Sequence, residues 1–300
     1  MIQHQFVFNL NSYLESKINY INNELEKIID LKSSNLITRA VVYSLMSGGK
    51  RLRPVLCIAA AEAVGSEEKY VIPAACALEI IHTYSLIHDD LPPMDNDSLR
   101  RGKQTCHIAF DEATAILAGD ALLTLSFQVL SNIDANSCNA DKWLKVIHLI
   151  SVAAGYKGMI EGQMRDISYE NRDISIEELE TMHSLKTGAL IEASVKSGAI
   201  LGNGNPKQIE QLETYAKNIG LAFQITDDLL NVTGDSSVTG KEIGTDKARN
   251  KCTYPALLGI SESETYAKKL VNNALNAIEL FDNRSDPLRA IAMYIIERKR

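Results

Sequence analysis

EIIHTYSLIHDDLPPMDND, residues 79–97, begins as an apolar run with helical spacing and ends in acid. Asp89, Asp90, Asp95 and Asp97 place four carboxylates within nine residues. Repulsion among them would push some of their pKa values up unless cations sit between them. Pro92–Pro93 stops a helix, so the acids stand at its foot. Alone, the stretch would also suit caps or solvated turns. The arrangement returns, however, at FQITDDLL, residues 223–230, where Asp227 and Asp228 lie among Phe223, Ile225, Leu229 and Leu230. Such a pair among apolar neighbours costs several kcal/mol if nothing compensates it. Two acidic pairs on separate apolar helices could face one another across a cavity and cage divalent cations. Oxygen donors without clustered Cys or His suit Mg2+ better than zinc.

Outward from these stretches the chain has helical character. Its 300 residues contain 45% hydrophobic but only 6% aromatic residues and seven prolines, which fits an interior of Ala, Leu and Ile on helices. No linker of Pro, Gly or Ser divides it, so one domain over residues 1–300 is expected. The spacing predicts one or two amphipathic helices in the first thirty residues. It predicts others over 35–47, 53–64, 71–90, 111–130, 141–165, 176–201, 207–231 and 263–281. No convincing strand pair is visible. ATAILAGDALLTL, residues 113–125, is nearly apolar all round and should be central, with Asp120 a buried acid or a cap at a kink.

The net charge of −7, with Lys and Arg in short groups, excludes a nucleic-acid surface. Cys57, Cys76, Cys106, Cys138 and Cys252 are odd in number and form no CxxC pair, which suits a reducing cytoplasm. The N-terminus lacks the pattern of a secretory signal, and no segment has roughly 18 uninterrupted apolar residues, so a protein without stable membrane insertion is expected.

Phosphate-binding cations accompany the acids. GGKRLRP supplies Lys50, Arg51 and Arg53; SLRRGK supplies Arg100, Arg101 and Lys103; Lys186 and Lys241 follow. His82 lies two helical turns before Asp89, on the same face, with Ser85 between them. A diphosphate held by metal and cations at a mouth, with apolar helices behind it, suits a substrate with a charged head and a hydrocarbon tail. Catalysis would be electrostatic, aimed at charge on a departing diphosphate, and needs no Ser/His/Asp or Cys/His nucleophile. GMIEGQMRDI and LGNGNP hold glycines, but neither is a nucleotide-binding loop.

From about residue 40 onward, GGKRLRP, EIIHTYSLIHDDLPPMDNDSLRRGKQTCH, AGDALL, GMIEGQMRDI, KTGALIEASV, FQITDDLLNVTGD and GKEIGTDKARNKCTYPALLG resemble the trans-type short-chain isoprenyl diphosphate synthases. Within them the bacterial farnesyl diphosphate synthases are the nearest in pattern. The resemblance implies an all-α, single-domain bundle of ten or more helices around a deep central cavity, the isoprenoid synthase type I fold, and a homodimer. It implies three Mg2+ ions per active site, replaceable by Mn2+, on Asp89, Asp95 and Asp227. Lys50, Arg53, His82 and Arg101 match the site for isopentenyl diphosphate. Arg100, Lys186 and Lys241 match contacts to the allylic diphosphate, and Thr187 and Gln224 match polar groups facing the allylic cation. In the family's scheme a bulky residue five before the first Asp floors the cavity. Tyr84, with Ser85, lies roughly 6 to 7.5 Å below the mouth and would admit a fifteen-carbon product. The expected activity is therefore farnesyl diphosphate synthesis, with geranylgeranyl or geranyl diphosphate as the alternative product.

One position departs from the pattern. The second motif ends in Asn231 where relatives carry Asp, and a neutral amide is a weaker Mg2+ ligand, so a higher metal requirement is expected. Three rival readings remain. An HD-type metal phosphohydrolase would use His88–Asp89 with His107, His148 and His183, but has no use for GGKRLRP or a second Asp-Asp helix. A terpene cyclase has no use for a second diphosphate site at Lys50, Arg53 and His82. A non-catalytic subunit should lack one acidic pair, and both are present.

Overall fold

The computed structural model describes residues 8–133, 139–233 and 251–298. Helix starts follow local chemistry. Asn9 accepts from the Ser12 amide at the head of α1 (Leu10–Ile28), and Asn35 from Thr38 at α2 (Leu36–Leu45). α3 (Leu52–Ala63) and α4 (Ile72–Asp89) follow, the latter with Pro73 in its first turn. A two-residue ribbon, β1 (Leu99–Arg100) with β2 (Lys103–Gln104), turns through Arg101 and Gly102 at φ +54° and +74°. After α5 (Cys106–Ala109), Asp111 caps α6 (Glu112–Ser131) and Asn139 caps α7 (Ala140–Ala154). α8 spans Met159–Ser168. α9 (Ile176–His183) opens on a Ser175/Glu178 capping box and passes through a π-helical turn, Ser184–Gly188, into α10 (Ala189–Leu201). α11 (Pro206–Thr233), α12 (Tyr254–Leu258), α13 (Ile260–Ala277) and α14 (Asp286–Glu297) complete the described chain.

Two apolar clusters hold these helices. Ile80, Ile81, Leu122, Trp143 and Ile150 join α4, α6 and α7. Val55, Tyr215, Ile219, Val271 and Ile291 join α3, α11, α13 and α14. α10 lies between them, giving Leu190 and Ala193 to the first and Ile191, Val195 and Ala199 to the second. The π turn at its start touches both α8 and α11, and so links the acidic end of α4 to the acidic helix α11.

The all-α expectation holds, with four corrections. The ribbon β1–β2 is a strand pair, short enough to escape any period-2 signal. Residues 141–165 are not one helix, because the chain turns between Gly155 and Gly158. Residues 286–297 form a helix that the sequence reading did not place. The run 113–125 is not central: α6 packs along α4 and α2 but leaves Ile116 and Leu117 exposed, and Asp120, far from buried, lies on its open side. Glu112–Ser131 is long and apolar enough to cross a membrane by length and composition.

Candidate active site

The foot of α4 folds back on itself. The Asp90 amide closes the helix on Leu86 O at 3.0 Å, the Asp95 amide bonds Asp89 O at 2.8 Å, and Asn96 adopts φ +50°. Asp95 is thereby carried back beside Asp89. α8 contributes Gln163 and Asp166 one turn apart, and Gln163 donates to Asp89 Oδ1. Two ammonium groups stand among these acids. Lys186 Nζ, from the π turn, is 2.6 Å from Asp166 Oδ2 and 3.9 Å from Asp89 Oδ1. Lys251 Nζ is 3.0 Å from Asp166 Oδ2 and 3.1 Å from Asp95 Oδ1. Burial opposes ionisation of Asp166, yet Lys186 and Lys251 together hold its carboxyl at about 2. Burial raises Asp89, against the pull of Lys186. The counter-charge that the four-acid stretch demanded is supplied, in this state, by Lys186 and Lys251 at Asp89 and Asp95 and by Arg100 at Asp90 and Asp97.

α8 reaches the π turn because Gly162 has no side chain: a Cβ there would run into the Lys186 backbone.

The second acidic pair divides its duties. Asp228 is buried and accepts the Tyr254 amide at 3.0 Å, capping α12. Asp227 is half-exposed and pairs with Arg298, whose Nη2 lies 2.6 Å from Asp227 Oδ1 while its guanidinium covers the Phe223 ring at 4.0 Å. Between the two acidic groups, Gln224 meets His183 (Nε2 to Nδ1, 3.1 Å) and Thr187 is buried in the π turn.

On the other side of α4 the charge is positive. Arg51, left-handed at φ +46°, is consumed by a buried bridge to Glu79 at 2.8 Å. Arg53 has its Nε buried without a protein partner, and burial lowers its pKa to about 10. His82 is held neutral, well below its ordinary value, first by burial and then by Arg53, Arg101, Arg100 and Arg51. Arg101 bonds Gly48 O and fills the space a Cβ on Gly49 would need. Lys50 is exposed beside it. Arg100 contacts Asp90 Oδ1 through Nε at 2.6 Å and Nη2 at 2.5 Å. A carboxyl-poor group of cations with one guanidinium nitrogen unsatisfied is suited to an anion.

Tyr84 is buried, edge-on to His88 at 5.7 Å, and Ser85 bonds His82 O at 2.9 Å. His88 turns to Ile116 O on α6, whereas Asp89 turns to α8 and the π turn, so the His88–Asp89 pair of the phosphohydrolase reading does not converge. Lys241 lies outside the described residues. Gln163, Asp166, Lys251 and Arg298 were not singled out from sequence, and His183 was named only as a metal ligand of the phosphohydrolase reading. For the first two the signal was present in GQMRD, where i and i+3 share a helical face.

Oxygen donors gathered around two positive charges fit hard divalent ions, although no cluster of three or more His, Cys, Asp or Glu side chains is poised to hold a metal among the described residues. The polyprenyl synthetase profile matches residues 34–286. The chain belongs to the polyprenyl synthetase family. It is 45% identical over 97% of its length to geranylgeranyl diphosphate synthase of Cyanophora paradoxa, covering 97% of that protein. It is likewise 45% identical over 97% of its length to geranylgeranyl pyrophosphate synthase 7, chloroplastic, of Arabidopsis thaliana, covering 85% of it. The apo crystal structure of an FPP/GFPP synthase from Zymomonas mobilis superposes with a TM-score of 0.85 at 35% identity, covering 96% of this chain and 99% of the other. This polyprenyl synthetase is a prenyltransferase, of a family that generally uses divalent metal ions. The phosphohydrolase reading is thereby set aside.

Proposed function

We propose that the chain is a geranylgeranyl diphosphate synthase, joining isopentenyl diphosphate head-to-tail to allylic diphosphates in isoprenoid biosynthesis. The observation that carries prenyl coupling is the split of charge about the foot of α4: an acidic nest of Asp89, Asp95 and Asp166 on one side, and unsatisfied Arg53 with neutral His82 and Arg101 on the other. Two diphosphates can then be held by different means. The names of the two relatives above favour the twenty-carbon product. A second reading, farnesyl diphosphate, is favoured by the buried Tyr84 ring below the mouth.

Asp89, Asp95 and Asp227 would hold the metal ions, for which Mg2+, or Mn2+ in its place, suits the oxygen donors and three ions would serve the site. Bound there, the ions supply Lewis-acid stabilisation of charge on a diphosphate. Lys186, Lys251 and Arg100 leave their carboxylates for phosphate oxygens, and Lys241 binds phosphate with them. Lys50, Arg53, His82 and Arg101 bind the isopentenyl diphosphate. The allylic carbon–oxygen bond breaks with its electron pair on the departing diphosphate. Thr187 and Gln224 face the cation, the isopentenyl double bond supplies the pair for the new carbon–carbon bond, and the lost proton goes to the diphosphate. Residues 1–300 act as one synthase domain. The exposed Ile116 and Leu117 on α6 support a homodimer through that face, and the buried free thiols of Cys57, Cys76 and Cys106 support a reducing, cytoplasmic setting.

Incubation of the purified protein with Mg2+, isopentenyl diphosphate and dimethylallyl, geranyl or farnesyl diphosphate, followed by product sizing, tests this. A twenty-carbon product upholds the first reading and a fifteen-carbon product the second. No coupling defeats both.

A further inference from the structure

His183, at the end of α9, is the buried group that this scheme leaves without a role. Its ring stacks on Tyr254 at 5.6 Å and 18°, which fixes its plane. Nε2 is buried with no hydrogen-bond partner, and the nearest acid is Asp228 Oδ2 at 3.7 Å. Nδ1 lies 3.1 Å from the Gln224 amide nitrogen. These contacts favour one tautomer of the neutral ring and, with it, one amide orientation. A proton on Nε2 points at the Asp228 carboxylate, whereas a lone pair there would face it in a buried place. In the neutral ring with that proton Nδ1 is bare and accepts, which matches the Gln224 NH2 standing against it at 3.1 Å. Within a planar amide the carbonyl oxygen then points away from the imidazole. Gln224 stands three residues before Asp227 on α11, and so shares a face with it.

We propose that His183 is a positioning residue that fixes the sign of the dipole presented to the reacting allyl group. By taking the Gln224 NH2, it leaves Oε1, the negative end, toward the carbon that becomes cationic. The inverted amide would aim N–H at that carbon and oppose ionisation. Asp228 acts one step further back, by setting the tautomer. The inference rests on the prenyl-coupling reading above.

His183→Phe keeps a ring for Tyr254 but removes the acceptor, while His183→Asn places Oδ1 close to where Nδ1 stood. Phe should lower kcat roughly ten- to hundredfold with KM for the allylic diphosphate within about twofold, and Asn should recover most of the loss. The discriminating measurement is binding of two saturated probes that differ by one atom. Dimethylammonioethyl diphosphate carries a positive nitrogen where the cation forms, and 3-methylbutyl diphosphate is its uncharged isostere. His183→Phe should weaken only the ammonium probe. Both probes weakened alike would assign the effect to Asp228 and diphosphate binding, and neither weakened would remove His183 from the reaction; either result overturns the inference. Should the Phe variant fail to fold, 15N spectra of the wild-type histidines decide: a proton on Nδ1 of His183 overturns the inference, and one on Nε2 with a hydrogen-bonded Nδ1 upholds it. Wild-type protein without coupling activity would instead defeat the functional reading itself.

Discussion

Asp166 shows how much one side chain can carry. It is buried, receives two lysines, and keeps its carboxyl at about 2 against an ordinary 3.8. Because the folded value is the lower one, its contribution to stability is full above about pH 4 and is lost as pH falls toward 2, some 2 kcal/mol in all. Acid titration of unfolding free energy should therefore be steeper for wild type than for Asp166→Asn over that window, and parallel curves would contradict the pairing. Asn231 makes a separate prediction. Asn231→Asp adds a carboxylate one turn beyond Asp227, so half-maximal activity should come at a lower magnesium concentration. A titration curve that does not move would show that this position contributes nothing to metal binding.

At the scale of elements, the decisive contact is α8 against the π turn. It brings Asp166 to Lys186 only because Gly162 lies flush against the turn's backbone. Gly162→Ala must push the two apart, at about 1 to 3 kcal/mol. Thermal unfolding should show the loss, and kcat should fall with it because Asp166 and Lys186 separate. A variant with unchanged Tm and activity would mean that the turn yields freely. Little of this was open to the sequence reading. The glycines of GMIEGQMRDI were set aside as no nucleotide-binding loop, whereas Gly162 serves close helix packing, and no local pattern marks a π turn inside the apparently continuous run 176–201.

For the whole molecule, the proposed floor at Tyr84 on α4 makes product length the measurement. Tyr84 is buried on α4 one turn or more before Asp89, so, as the proposed floor, Tyr84→Ala should lengthen the product by five carbons relative to wild type, whichever length wild type makes. Chromatography with no change would remove Tyr84 as the floor. The proposed homodimer would use the open side of α6. Leu117 is 58% exposed beside Ile116 at 45%, and Leu117→Glu should convert a dimer to a monomer by light scattering with little effect on helicity. Wild-type protein that is already monomeric would reject that face as an interface.

Helical class, the caps at Asn35, Asp111 and Ser175, and the two acidic pairs follow from residue type and near-neighbour spacing, which act within a few positions along the chain. Which cation meets which acid does not. Lys251 is 85 positions from Asp166 and 156 from Asp95, and Arg298 is 71 from Asp227. Coulomb energy and hydrogen bonding depend on separation in space, so only the packing of α10 between the two apolar clusters, and the π turn it carries, could decide those partners.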